Sequence, residues 1–537
     1  MRARHRLISL LIAVAACGPA AAPAPAIRHA PPPAATPAPL AVAPTPVDAL
    51  PIIPATPQPA PDGLLVTASV GDPLATLTAL VAYADAVKPG IGAMLSPAAA
   101  IQLAASQGVD LRGVDLTRPV RAFLLDPRAH AVPVIAVVAV ADEAALRAQV
   151  AALGFEVVLH GGWAAIGDRA GLRAAAPYAL TTAVATAPPA LPRVTIAVAT
   201  VMTHYRAEVQ AFFDQMVAMQ PPVARAGMAP WLAWYADVFA QLDRVELDLT
   251  ADRARAGLAL RLVPRPDGSI AAFARQQRPG EFKLLERMPA AAVAMGGRLD
   301  TSAVFARMLE LSRPNLIAMG GTEIADVAMT AFARWPALAN GENAVTAVPI
   351  PGKLAVAALW DISDGAAAQA LWLDYLTALG RGQQGLMQTQ VDTNAARYRG
   401  VRFARARSTS SSTAMQPGMA LYGGQLDVAY AVPGPLFAMA MGGDSLGQLR
   451  QLTDVALPRK RPRPTPPALA ATLALARAAH DSYVIAVDAP VVRAGFTGGA
   501  APAPSTDELA LLALGFDGDA VVLRAALPAT QLAPLLP

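Results

Sequence analysis

The stretch Phe155-Glu156-Val157-Val158-Leu159-His160-Gly161-Gly162-Trp163-Ala164-Ala165-Ile166-Gly167-Asp168 decides how the folded part of this chain is read. Phe155, Val157 and Leu159 fall on one side of an extended segment. Gly161-Gly162 supplies a tight turn, and Trp163 to Ile166 runs back as the partner strand. Gly167-Asp168 then closes the hairpin and opens a helix, with the aspartate placed to cap it. Upstream, the apolar run Val134 to Val140 meets Asp142 and the helical spacing Leu146, Val150, Leu153, which stops at Gly154. Strands and helices mixed in this way, with hairpins between strands, define an α+β class.

The same order recurs further along. Leu354 to Trp360 leads into Ser363-Asp364 and a helix through Leu371, Trp372, Tyr375, Leu376 and Leu379, ending at Gly380. Leu426 to Val432 and Leu436 to Met441 flank the turn Pro433-Gly434-Pro435, and Gly443-Asp444 follows. Each stretch opens with a strand that feeds a helix: Leu64 to Val70 before Asp72-Pro73, and Ala291 to Leu299 before Asp300. A further strand is expected at Val194 to Val201 and at Tyr483 to Val487. Each stretch closes with a hairpin, Val245 to Leu262 in the first and one turning at Asp517-Gly518 in the second. The pattern predicts two tandem, duplicated units of mainly antiparallel or mixed sheet packed with helices, over 63–285 and 286–537. The second carries an insertion near 381–425, rich in Gly, Ser, Thr and Arg. One large α+β domain is the alternative. The layout resembles an uncharacterised family of extracytoplasmic bacterial proteins built from repeated strand and helix units, a resemblance that brings no catalytic residues with it.

Residues 18–62 have a different composition: fifteen of these 45 residues are proline, and only Arg28, Asp48 and Asp62 carry formal charge. Such a segment lacks backbone donors and the apolar residues for a core. The sequence therefore predicts a disordered spacer over 17–62, able to reach at most roughly 140 Å as polyproline II. Before it stand Arg2, Arg4 and Arg6, a short apolar run Leu7 to Ala16, and Cys17, the only cysteine of the 537 residues. The run is too short to span a bilayer. Val14-Ala15-Ala16-Cys17 resembles the lipobox of bacterial lipoprotein precursors. The resemblance implies a signal peptide over 1–16, a diacylglyceryl group on the Cys17 thiol, and a chain tethered to a membrane by lipid. Gly18 stands where an aspartate often marks inner-membrane retention, so the implied address is the outer membrane, facing the periplasm.

The net charge of +4 includes Arg2, Arg4 and Arg6, so the remainder is close to neutral and gives no footing for nucleic-acid binding. One cysteine, claimed by lipid, leaves neither an intramolecular disulfide nor a zinc framework. His5, His29, His130, His160, His204 and His480 do not pair at ligand spacing, and no phosphate- or dinucleotide-binding fingerprint is present, so no cofactor is expected.

Gly443-Asp444-Ser445-Leu446-Gly447 resembles the nucleophile elbow of esterases and the G-D-S-L signature of a lipase and esterase family. That resemblance implies Ser445 as nucleophile. It departs from the family in sitting late in the chain, and Arg477 stands three residues before His480, where the family has aspartate. The first stretch keeps both glycines and the aspartate in Gly167-Asp168-Arg169-Ala170-Gly171 but has arginine for the serine. A turn and a helix cap explain the conserved pattern between the two stretches without catalysis. The chain thus reads as a non-catalytic envelope protein that binds, scaffolds or assembles, with an envelope protein, glycan or lipid as partner. A serine hydrolase using Ser445 and a carrier of an apolar ligand are the alternatives. Binding candidates are the helical aromatics Trp231, Trp234, Tyr235 and Phe239, the insertion arginines Arg397, Arg399, Arg402, Arg405 and Arg407, and the Arg459-Lys460-Arg461-Pro462-Arg463 run.

Overall fold

The fold is that of a computed structural model, which describes residues 49–536 apart from 97, 100–101, 103–110, 220–221, 340, 351–352, 383–386, 411–419, 458–463, 498–504 and 506. Cys17, the apolar leader and most of the proline-rich spacer lie outside the described residues, as do Arg459, Lys460, Arg461 and Arg463. The chain forms two compact units: residues up to Leu77 with Ser96–Val194, and Thr78–Leu95 with Thr195–Pro537.

In the first unit, β1 (Leu64–Val70), β2 (Val120–Leu125), β3 (Val134–Ala139), β4 (Glu156–His160) and β5 (Trp163–Gly167) pair antiparallel in the order β1–β2–β3–β5–β4. The β4–β5 turn is Gly161-Gly162, both at positive φ, with His160 opposite Trp163. Strand alternation divides the apolar residues between two faces. Ile135 and Val137 point to one, where helix Arg169–Tyr178 buries Leu172, Ala175 and Ala176. Val138 points to the other, where helix Glu143–Ala152 buries Leu146 and Val150 against Phe155 and Ala164. The Asp142 carboxylate caps that helix by accepting from the Ala145 N–H at 3.0 Å.

The expected spacer ends earlier than its composition suggests. Leu50 and Ile53 pack on the core beneath helix Arg169–Tyr178. Gln58 donates its N–H to the Thr181 hydroxyl at 3.2 Å, and its carbonyl accepts from the Thr182 hydroxyl at 2.5 Å. Two isolated apolar side chains and one hydrogen-bonded glutamine are enough to hold residues 49–62 against the unit, so disorder through 62 is corrected. The strand expected over Val194 to Val201 is also shorter: β6 is Arg193–Ile196, and a helix starts at Val198.

The second unit contains β7 (Leu242–Ala251), β8 (Arg255–Pro264), β9 (Val293–Gly297), β10 (Asn343–Ile350), β11 (Lys353–Asp361), β12 (Met387–Tyr398), β13 (Val401–Ser410), β14 (Leu426–Ala431), β15 (Leu436–Met441), β16 (Asp481–Val487), β17 (Ala510–Asp517) and β18 (Ala520–Pro528). Their antiparallel pairing runs β7–β8–β18–β17–β16–β9–β10–β11–β15–β14–β13–β12. Within it, β9–β10–β11–β15–β14 repeats the order of the first unit, and the β12–β13 hairpin is an addition to it, formed by the expected insertion. The expected boundary at 285/286 falls inside this unit, because β8 pairs with β18 from Arg255↔Pro528 to Leu262↔Val521. The two closing hairpins are therefore neighbours in one ladder.

One face of that ladder is covered. Val484, Ala486, Leu511, Ala513, Ala344 and Leu359 join Leu449 and Leu452 of helix Ser445–Ala456 and Leu469 and Leu473 of helix Pro467–Ala478 in one core. A second core gathers Trp335 of helix Ser302–Leu338, Trp372 and Tyr375 of helix Gly365–Gly382, and Trp360, Tyr430 and Phe437 of the sheet. The Gly380 stop is overrun, since that helix continues to Gly382.

Candidate functional site

Ser445 is the first residue of helix Ser445–Ala456 and is 0% exposed, with no hydrogen-bond partner for its hydroxyl among the described residues. Asp444 beside it accepts from the Gly447 N–H at 2.9 Å. In the first unit Asp168 accepts from the Gly171 N–H at 2.8 Å, the same cap. A side chain at position 447 or 171 would overlap the capping carboxylate, which accounts for the second glycine of the motif. The motif thus encodes a strand-to-helix turn in both units.

Of the residues around the histidine that the resemblance would require, Arg477 and Asp481 are engaged elsewhere. His480 sits at φ 57 in the turn before β16, its N–H donating to the Arg477 carbonyl at 3.0 Å. Arg477 donates to the Glu281 carbonyl at 2.8 Å and to Glu286 at 2.6 Å. Asp481, 1% exposed, accepts from Arg524 Nε at 2.9 Å. Burial pushes the Asp481 carboxyl above the usual carboxylate range, and the Arg524 guanidinium opposes that rise. None of the hydrogen bonds found among the described residues joins Ser445 to a histidine. Nor, among those residues, does any group of three His, Cys, Asp or Glu side chains converge on a metal-sized site.

The insertion arginines divide. Arg405 pairs with Asp427 at 2.8 Å, and Arg399 with Asp454 at 3.0 Å. Arg402 stands directly opposite Arg397 near the exposed tip of the β12–β13 hairpin. The candidate aromatics lie on helix Pro222–Ala240. Trp231 meets Trp234 edge-on at 5.9 Å, Trp234 meets Tyr235 at 5.3 Å, and Phe239 meets Phe213 of helix Val198–Ala218 at 6.4 Å. They pack on one another. The cavity nearby, of about 320 Å³, is lined instead by Met202, Thr203, Arg206, Ala240 and Arg265. Neither Arg206 nor Arg265 has a side-chain hydrogen bond or ion pair among the described residues. Helix Val198–Ala218 kinks at Tyr205 (φ −125°, ψ 18°), next to Arg206.

The feature that residue-by-residue reading missed is a partly open stretch, over β7, β8, β18 and β17, of the face that elsewhere carries Trp360 and Phe437 in the second core. Register puts two apolar rungs on it: Leu247–Leu260–Leu523–Leu514–Tyr483, and Leu249–Leu258–Ala525–Leu512–Ile485. Leu247, Leu258 and Leu512 are 36%, 41% and 48% exposed. Leu258 and Leu512 lie on strands paired along both edges, where leucine is ordinarily covered. Sequence alternation marks each strand as amphipathic in form. Only the β8–β18 pairing, between distant parts of the chain, brings the leucines into one strip.

No family model matches the chain, and no curated protein matches it. Among solved structures it is similar to crystal form III of TP0453, with 11% identity over 47% of this chain and 98% of that one, at a TM-score of 0.23. Crystal form IV of TP0453 gives 13% identity over 50% and 99%, at a TM-score of 0.22. Likeness at that level transfers neither fold nor activity.

Proposed function

We propose that this chain is a lipid-anchored protein of the cell envelope whose folded part binds a partner rather than catalysing a reaction. The observation that carries the binding role is the open leucine strip on interior strands of the second unit, a surface whose exposure opposes stability unless something covers it. The buried, capping environment of Ser445 supports the same reading, because a nucleophile must reach solvent and a base. The Cys17 sequence supports the anchor and an outer-membrane address facing the periplasm.

Two experiments test this. A fluorophosphonate probe is expected to leave Ser445 unlabelled, and stoichiometric labelling abolished by Ser445→Ala would replace binding with hydrolysis. Metabolic labelling with palmitate should mark the wild-type chain and not Cys17→Ser, and equal labelling of both would remove the anchor. Of the partner classes that the sequence leaves open, an apolar or amphiphilic ligand is the one that the strip favours.

A further inference from the structure

The leucine strip and the arginine-lined cavity are linked through β8. β8 contributes Leu258 and Leu260 to the strip and ends at Pro264, and the next residue is Arg265. Phe273 packs edge-on against Phe516 at 5.7 Å. Phe516 pairs with Val521, and Val521 with Leu262, so this contact marks the end of the strip nearest Arg265.

Three properties define what fits there. Five strands spaced about 4.8 Å apart make each rung roughly 19 Å long, an extended and narrow apolar surface. Backbone groups of β8, β17 and β18 are paired to strands on both sides, so they leave no ladder to which a peptide strand could add. The occupant must therefore gain from apolar contact alone along the strip. Arg206 and Arg265, which lack side-chain partners among the described residues, supply two cations beside a cavity of about 320 Å³ that Met202 also lines. Guanidinium groups without a carboxylate call for an anion with two or more acceptor oxygens.

We propose that the second unit binds a single-chain anionic amphiphile, with its alkyl chain along the β7–β8–β18–β17 face and its head group on Arg206 and Arg265. The proposal rests on the binding role above and names its ligand class. A carboxylate and a phosphate share the required chemistry, and the experiment separates them.

The full chain carrying Cys17→Ser is titrated with hexadecanoate, hexadecyl phosphate, hexadecanol and inorganic phosphate by isothermal calorimetry. Saturable binding of at least one alkyl anion at one per chain is expected, with hexadecanol weaker by about ten-fold or more. The stronger of the two anions identifies the head group. Leu258→Gln/Leu512→Gln should weaken every alkyl ligand by about ten-fold or more, and Leu512→Gln alone, at a position already half exposed, by a smaller factor in the same direction. Arg206→Gln/Arg265→Gln should bring the anions down to the hexadecanol level and leave hexadecanol unchanged. Circular dichroism and urea midpoints close to the parent keep these comparisons valid, and Leu512→Gln serves if the double variant fails to fold. Absence of saturable alkyl binding, or wild-type affinity in the leucine variants, overturns the proposal. So does a concentration-dependent dimer lost in the leucine variants, which would assign the face to a second copy. If alkyl binding fails while Ser445 stays unlabelled, the non-catalytic role survives without this ligand. Labelling of Ser445 instead removes the role itself.

Discussion

Asp481 and Arg524 form an ion pair across a strand to which neither belongs. Asp481 lies on β16 and Arg524 on β18, and β17 runs between them. Gly515 occupies the crossing point: a Cβ there would come within 2.7 Å of Asp481 Oδ1 and 2.5 Å of Arg524 Nη2. A register shift between Asp481 and Tyr483 sets the carboxylate beside Gly515 rather than with the apolar side chains of the strip. The pair ties three strands together and leaves Asp481 Oδ2 without a hydrogen-bond partner among the described residues.

Removing the cation should expose the cost of that burial. Arg524→Gln is expected to destabilise the second unit by about 3–5 kcal/mol at neutral pH, the usual consequence of leaving a buried charge alone. The sign with pH follows from the raised Asp481 carboxyl. A folded-state pKa above the unfolded one stabilises below the unfolded pKa, and that contribution is lost as pH rises through the folded value. Without Arg524 the carboxyl rises further, so the deficit should shrink as pH falls through the raised folded-state values, above the ordinary carboxylate range, and level off below them. Urea unfolding of wild type and variant across pH 3 to 7 measures it; a deficit that grows on acidification contradicts this account.

Ser445 makes the opposite prediction. Its buried hydroxyl has no partner among the described residues, so Ser445→Ala deletes an unsatisfied group at little loss of packing. Stability should stay level or rise by up to about 1 kcal/mol. A loss above about 1 kcal/mol in the urea midpoint would mean that the hydroxyl is used.

Tyr430 reports on the aromatic core. Burial pushes its phenol up to about 12. Its ring lies against Phe437 at 6.1 Å, and its hydroxyl lacks a hydrogen-bond partner among the described residues. A raised folded pKa stabilises below the unfolded value and loses that contribution as pH climbs through the folded one. Tyr430→Phe should therefore reduce the decline in stability between about pH 10 and 12. Thermal unfolding in that window provides the test, and an identical alkaline decline in both proteins would place the ionisation elsewhere.

The ordered end of the proline-rich segment predicts a boundary for truncation. A chain beginning at 63 should be less stable than one beginning at 49 by about 2 kcal/mol, from the lost apolar contacts of Leu50 and Ile53 and the Gln58 hydrogen bonds. Hydrogen exchange across helix Arg169–Tyr178 should rise with it. Equal stability would mean that these contacts contribute nothing net.

How much of this was legible in the sequence depended on range. Local grammar read well: the Gly161-Gly162 and Asp517-Gly518 turns, the Asp142 and Asp168 caps, and Leu436 to Met441 stand where composition puts them. Helix ends read less well, since nothing local tells a chain to pass Gly380 or to change from strand to helix after Ile196. Composition also misled over residues 49–62, where prolines dominate but Leu50 and Ile53 decide the outcome. Features built from distant strands were beyond periodicity. Leu258 and Leu512 are ordinary alternating residues until β18 comes between β8 and β17. The G-D-S-L resemblance shows the converse hazard, a short motif whose geometry serves a turn.

The β8–β18 pairing also sets an order of events. β18 is the last strand among the described residues, more than 250 positions after β8, so when synthesis runs from the N-terminus β8 emerges long before this neighbour exists. Until β18 arrives, the β7–β8 hairpin has an open edge and an apolar surface, a state prone to wrong pairing. Closure of the second unit thus waits for β18, and the strip exists as one surface only once that strand is in place.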